Sequence, residues 1–462
     1  MQKMIQATLL LTTLGFSNTV VPSDHSDIKI TIYNDNRAFV NDVRHVEVQK
    51  GEQKLVYEGV PSSVITQSVI PTFSGLQTAL YSQNYMYDLI SLSSMLQNSI
   101  NKTLDFYTNG KNPRLSRGVL LSVNPVMIQE EKSGHIYSLE RATQVIFDTI
   151  PETMITQPSL VWRMDAQKAG TLDIDLKYLT SGITWKSDYV LNLHKGMLDL
   201  RGWITVKNDS GVAYENAQIT CLAGEVNKVK SDNQYDKRRM YKARTLMAVP
   251  VPAVKEESFS GYHIYKIPFR ETIANKQQKQ IRFIDKKGIT YTQYGVAKNH
   301  YFENYKEQKL HFTNTIKFEN TQANHLGISL PKGVVRMYQK DSSEQTHFIG
   351  EQRIQNIPEE ESVTLSLGKL FDVVGEKKIT KYSAKKRYKN VETTYSIRNQ
   401  GKEEVLLKIE ENIPTYGEHI RVETTCKGQC SVKKKNAFVR EFSIKLKAKE
   451  KYEFTSEFEV NY

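Results

Sequence analysis

Cysteine is scarce, with three in 462 residues. Cys426 and Cys430 enclose Lys427-Gly428-Gln429, a tight turn between two strand-like runs. That spacing suits a local disulfide across a hairpin in an oxidising compartment. A loop this small adds only about 2 kcal/mol in the chain-entropy picture. Two cysteines with no histidine beside them are too few for a zinc site, and a three-residue spacer in a β context argues against thiol-redox chemistry. Cys221 alternates with Ala217 and Ile219 on one strand face, which predicts a buried, inert thiol. The ten histidines are dispersed, without H-E-x-x-H, H-x-H or a Cys/His cluster. G-x-S-x-G, a Walker-type loop and G-x-G-x-x-G are also missing. Metal hydrolysis, serine hydrolysis and nucleotide or dinucleotide binding therefore lose their main support. The expectation is no metal, no cofactor and no catalytic residue.

Long apolar runs are absent as well. The run from Met4 to Phe16 spans roughly 13 residues against the ~20 a membrane-crossing helix needs, so no transmembrane helix is expected. With Lys3 before it and Gly15 and Ser17 at −3 and −1 of a cut before Asn18, it reads as a signal peptide over 1–17. No cysteine follows to carry a lipid. The mature chain is expected to be exported, to the periplasm or cell surface. A formal charge of +12 favours anionic partners. The basic runs Lys237-Arg238-Arg239, Lys385-Lys386-Arg387 and Lys433-Lys434-Lys435 are, however, short and sit beside turns, which suits solvated loops and edges. Nucleic acid is not an expected partner.

What is present is period-two alternation. Ile28-Ile30-Ile32, Leu172-Ile174-Leu176-Tyr178, Val391-Thr393-Tyr395-Ile397 and Phe442-Ile444-Leu446 each line one strand face. Turn signals separate them at Lys50-Gly51, Lys132-Ser133-Gly134, Asn208-Asp209-Ser210-Gly211 and Asn399-Gln400-Gly401-Lys402. The fold class is mainly β, with several antiparallel sandwich- or barrel-like domains. One helix is expected around Tyr85 to Ile100, or a shorter one capped by Ser91 or Ser93. Three domains follow: a β-rich one over 27–165 carrying the helix, a central one over 166–380 with a long loop at 227–258, and an immunoglobulin-like sandwich over 381–462. No internal repeat stands out.

Two stretches carry a family resemblance. The first runs Tyr178-Leu-Thr-Ser-Gly182-Ile-Thr-Trp185-Lys-Ser-Asp-Tyr189, then Leu200-Arg-Gly-Trp203 to Asn208-Asp-Ser210-Gly211. The second runs Leu330-Pro331-Lys-Gly333-Val-Val-Arg336, then Phe348-Ile-Gly350-Glu351, Pro358-Glu-Glu-Glu361 and Leu367-Gly368-Lys-Leu-Phe371-Asp372. Together they resemble the mucoidy-inhibitor-A-like proteins, exported or envelope β proteins whose shared domain has no known function. The resemblance implies an envelope role. Where relatives tend towards a His-Thr-Pro-like triplet, this chain has Asn356-Ile357-Pro358. Physically these residues read as structure. Gly182 and Trp185 fit a turn followed by an aromatic core plug, Asn208 to Gly211 the φ > 0 positions of a hairpin, and Pro331 to Gly333 a turn before the Arg336 strand.

Carboxylates are the remaining candidates for catalysis. Asp173 and Asp175 are i,i+2 on a strand and face water. Glu130-Glu131 and Glu359-Glu360-Glu361 read as solvated loop charges, and His263 as a half-buried strand histidine. The leading expectation is a non-enzymatic binding or structural protein of the envelope, touching envelope glycan or another envelope protein. One alternative is a glycan- or peptide-acting hydrolase whose carboxylates meet only in the fold. Another is an outer-membrane β-barrel, suggested by the alternation Tyr452, Phe454, Phe458, Val460, Tyr462. The dense lysines 445, 447, 449 and 451 favour an edge or closing strand of a sandwich instead.

Overall fold

The computed structural model describes residues 17–109, 112–151, 154–224, 255–259, 262–300, 307–386, 388–412, 421–427 and 430–461. The expected signal peptide lies outside them except Ser17. The expected loop 227–258 lies outside them except its last four residues, which open the strand Lys255–Phe259. The chain is mainly β, in six sheets that are all open among the described residues. Most neighbouring strands run antiparallel; among the described residues four named strand pairs run parallel, Ser17–Val20 with Gly51–Glu58, His25–Tyr33 with Tyr214–Ala223, Ile183–Leu193 with Gly333–Lys340, and Thr292–His300 with Val405–Asn412.

The helix is short. It spans Leu92–Gln97, and Ser91 caps it by accepting from the Ser94 N–H at 3.0 Å. The residues before it belong instead to the strand Thr78–Met86, because Tyr85 and Met86 are claimed by the ladder to Leu160 and Ser159. Tertiary pairing overrides the helical spacing there.

Two compact units are present, divided at Trp185/Lys186, Thr205/Val206 and Lys279/Gln280. The first holds a seven-stranded sheet in the order Lys255–Phe259, Tyr262–Ile273, Tyr214–Ala223, His25–Tyr33, Arg37–Val48, Gly170–Ser181, Ile70–Ser74. It also holds a four-stranded sheet, Ser17–Val20, Gly51–Glu58, Ser159–Ala166, Thr78–Met86. Its core includes Ile30, Ile32, Val40, Leu172, Ile174, Leu176 and Trp162, whose ring lies 5.4 Å from Tyr57 and 5.5 Å from Phe73. A five-stranded sheet from Thr103 to Ile146 closes with the helix over Leu96, Leu104, Phe106, Leu120 and Ile128.

In the second unit a six-stranded sheet serves two cores. Its strands Thr313–Glu319 and Ser362–Lys369 give Ile316, Phe318, Val363 and Leu365 to one core with Tyr189, Leu191, Leu200 and Val335. Its strands Thr292–His300, Val405–Asn412 and Val439–Leu446 give Ala297, Leu407, Ile409, Phe442 and Ile444 to the other, a sandwich closed by Val391, Tyr395, Phe454 and Phe458. The last strand, Lys451–Asn461, is not an edge; it lies between Tyr388–Asn399 and Arg421–Lys427. Its buried Phe454 and Phe458 face the core while Lys445, Lys447, Lys449 and Lys451 are exposed. Tyr462 lies outside the described residues.

The two units repeat one topology. Six strands in chain order, His25–Tyr33, Arg37–Val48, Gly170–Ser181, Tyr214–Ala223, Lys255–Phe259 and Tyr262–Ile273, lie side by side as fifth, sixth, fourth, first, second, third. Thr292–His300, Thr313–Glu319, Ser362–Lys369, Val405–Asn412, Ser431–Lys434 and Val439–Leu446 lie in the same order. The fourth and first strands are parallel in both sets and all other neighbours antiparallel. This is a duplication that the sequence alone does not display.

Candidate functional site

The parts of the first motif stretch around Gly182–Trp185 and Asn208–Gly211 build a corner of the first unit. Gly182 has φ +82° and sits where a Cβ would meet the Ser210 Cα at 2.8 Å, so only glycine lets the two turns touch. The Asp209 N–H donates to the Gly182 carbonyl at 2.6 Å. Gly211 also has positive φ. Asn208 does not; its role is its side chain. Fully buried, its amide donates to the carbonyls of Val212 (2.8 Å), Ile273 (3.2 Å) and Ala274 (3.2 Å) and accepts from the Ser210 N–H and hydroxyl. Trp185 is buried, its indole N–H on the Leu222 carbonyl at 3.1 Å.

The second stretch is organised within the second unit. The Tyr189 hydroxyl donates to the Pro331 carbonyl at 2.6 Å, and Ser187 donates to the carbonyls of Pro331 and Lys332. Gly333 abuts the Ser187 carbonyl too closely for any Cβ. Arg336 lies 3.3 Å from Asp188 and 3.4 Å from Glu351, its register partner on the next strand. Asp188, nearly buried, also accepts from Thr205 at 2.9 Å. Gly350 stands opposite Met337. Trp203 is half-buried. The Pro358 carbonyl accepts from the buried Asn320 amide at 2.7 Å, and Asn356, in place of a histidine, accepts from the Lys332 N–H at 2.8 Å. The Asp372 carbonyl accepts from Gln400 at 2.7 Å, whereas Phe371 is 94% exposed. These residues fasten turns and strand ends, and Phe371 stands out as a large apolar side chain left in solvent.

The remaining candidates are spent on neighbours. Asp173 meets His45 at 2.6 Å, and Asp175 meets Asn41 and Lys177. Glu130 is not a solvated loop charge: it is buried at a strand end. Hydrogen bonds from Ser116 and then Ser133 hold its carboxyl below the usual range. Glu359, Glu360 and Glu361 are exposed, and His263 is half-buried on its strand. Cys221 is buried and its thiol pushed up by desolvation. Among the described residues no group of three His, Cys, Asp or Glu side chains could hold a metal ion. No helix there is long and apolar enough to cross a membrane. A shallow polar hollow of about 690 Å³ is lined by Asp285, Lys286, Lys287, Gln322, His325, Leu326 and Gly327. Cys426 and Cys430 stand at disulfide distance with Cα atoms 6.3 Å apart. They do not cross a hairpin. Cys426 belongs to a strand of the five-stranded sheet, and Cys430 adjoins a strand of the six-stranded one, so the pair staples the two sheets of the C-terminal sandwich.

One surface in the first unit is unlike the rest. Among the described residues Thr78–Met86 ends the four-stranded sheet, bonded on one side only, to Ser159–Ala166. Its residues Ala79 through Asn84 are all exposed. Leu80 is 40%, Tyr81 57% and Tyr87 70% exposed, and Tyr87 stacks on Tyr85 with centroids 5.6 Å apart. Through the turn at Gly75 it continues from Ile70–Ser74, itself the edge of the seven-stranded sheet, where Ile70 is exposed. No charged residue occurs between Glu58 and Asp88, in a chain that is 25% charged. Exposed edges are normally guarded by lysine, proline or inward charge. This one carries only a bulge at Tyr81, where the register to Arg163/Met164 slips. The charge gap is visible in the sequence but forms no motif.

Stacked open sheets whose motif residues serve turns and strand ends define a multi-sandwich β protein. Residues 174–462, more than half the chain, match the family described as a domain of unknown function, DUF4139, and the chain belongs to that family. No curated protein gives a significant match.

Proposed function

We propose that this chain is an exported, non-enzymatic binding protein of the cell envelope, related to the mucoidy-inhibitor-A-like proteins, and that its working surface is the uncharged strip from Ile70 to Tyr87. The observation that carries the reading is the open strand Thr78–Met86, exposed on its outer edge and unguarded by charge. The groups such an edge offers are backbone N–H and C=O, which an extended polypeptide satisfies by strand addition. The partner class this favours is therefore protein over glycan. Open sheets do not favour the barrel. The test is retention of envelope components on the immobilised chain beside its Ser82→Lys/Asn84→Lys variant. Proteins held by the native chain and released by the variant support the reading; equal retention by both, or none by either, overturns it.

A further inference from the structure

The occupant of that edge can be narrowed by charge. We infer that Thr78–Met86 pairs, antiparallel, with the same strand of a second copy of this chain, building one continuous sheet across a twofold axis; this rests on the reading of the strip as the working surface.

The argument starts from what is left open. Among the described residues the strand has a neighbour on one side, and its register is uninterrupted from Ser82 to Met86. Five regular residues can take a partner strand over that length; beyond Ser82 the bulged Tyr81 turns the edge away. Its inner face is already committed: Gln83 accepts from the buried Trp162 indole at 2.8 Å, and the Tyr85 hydroxyl reaches the carbonyls of Pro61 and Ser62 at 3.3 Å. The edge is thus held rigid from behind and free in front.

Two identical surfaces bring identical charges together, and this chain carries +12. A self-contact is tolerated only where charge is absent or neutralised, because like charges directly opposite one another destabilise a strand pair. The strip meets that demand. No charged residue lies on it; Arg163, on the adjoining strand, is paired with Glu52, and Asp88 keeps its charge but lies beyond the five regular residues. An acidic partner would instead be drawn to lysines, which this strip does not offer. A twofold axis at Asn84 sets Ser82 opposite the second copy's Met86, Gln83 opposite its Tyr85, and the two Asn84 amides opposite each other. Isologous pairing of this kind uses the edge of both copies at once, so this contact does not propagate.

The test is sedimentation of the purified full chain over a concentration series, native and Asn84→Lys. Asn84 is exposed, so the variant should melt with the native chain. The native chain should show a concentration-dependent dimer, and Asn84→Lys should weaken it roughly tenfold or more. Mixing Asn84→Lys with Asn84→Glu should restore dimer between the two variants. A native chain that stays monomeric throughout, or an Asn84→Lys dimer as tight as the native one, overturns the inference. The two readings fail separately: a monomer that still loses envelope retention with the lysine variants removes the dimer alone, and a dimer whose envelope retention ignores them removes the wider function alone.

Discussion

Asn208→Ala should be among the most damaging single substitutions in the first unit. The side chain makes five hydrogen bonds from a fully buried position, three donated to carbonyls and two accepted from Ser210. Each buried polar group left without a partner costs about 1–3 kcal/mol. The carbonyls of Ile273 and Ala274, at 3.2 Å, and the Ser210 N–H, at 3.1 Å, lose less than the Val212 carbonyl and the Ser210 hydroxyl, both at 2.8 Å. Counting the two closest as full losses and the others as partial gives about 3–5 kcal/mol, a large share of the ~5–15 kcal/mol a domain possesses. Asn208→Asp keeps the shape but turns a carboxylate towards three carbonyl oxygens. Its folded-state pKa must then rise, so its penalty is greatest at neutral pH and is relieved as pH falls through that raised value. Urea unfolding followed by tryptophan fluorescence reads the effect, with Trp162 and Trp185 both buried in this unit. A loss below about 1 kcal/mol for Asn208→Ala would refute the clamp.

Other outcomes follow from buried or stapled groups. Lys377 and Glu411 form a buried ion pair at 2.7 Å, so Glu411→Ala should cost about 3–5 kcal/mol, while Lys377→Met with Glu411→Leu should cost much less; thermal melts of the three proteins decide it. Reducing Cys426–Cys430, or replacing both by serine, should lower stability by about 2 kcal/mol and leave the fold intact by circular dichroism. Asp27 is held below the ordinary carboxylate range by Arg270 first and Lys29 next. Its contribution is complete above the unfolded value near 4 and is lost as pH falls through the lower folded value. Asp27→Asn should therefore flatten the melting-temperature profile on the acid side and leave its slope above pH 5 unchanged.

Strand identity was legible because burial imposes period two: Ile28, Ile30 and Ile32, or Phe442, Ile444 and Leu446, face a core in the structure as their alternation requires. Sheet membership was not. Nothing local in Cys426-Lys-Gly-Gln-Cys430 says that the flanking strands part to opposite sheets, since a crossing and a hairpin begin with the same turn residues. Of the two helix readings the shorter, capped by Ser91, holds, and the one reaching back to Tyr85 fails for a related reason: Tyr85 and Leu89 fit a helical spacing, but the ladder to Ser159–Ala166 outweighs a weak local preference. The role of Asn208 was misassigned because a strand-end asparagine looks the same whether its backbone or its amide does the work. The turn at Gly182 was legible from the glycine itself, whereas its close approach to Ser210 is a tertiary contact that the local sequence does not carry.

The duplication shows why such a plan stays hidden in sequence while its key residue does not. Asn399 repeats four of the five bonds of Asn208, all but the one from the Ser210 hydroxyl. Its oxygen accepts from the N–H two residues on, Gly401 as Ser210, and its amide donates to the carbonyl four residues on, Glu403 as Val212. It then grips the carbonyls ending the sixth strand, Leu446 and Lys447 as Ile273 and Ala274. In both places a buried aliphatic residue stands two positions earlier, Ile397 and Val206. Everything else between the clamps is free to diverge, since period-two burial accepts any apolar side chain of fitting size. Spacing diverges most: 121 residues, from 49 to 169, separate the second and third strands of the first set, against 42, from 320 to 361, in the second. The uncharged strand Thr78–Met86 falls inside the longer insertion. The repeated framework, clamped at Asn208 and Asn399, is thus the part that must stay put, and the added segment is the part free to lose its guarding charges and meet a partner.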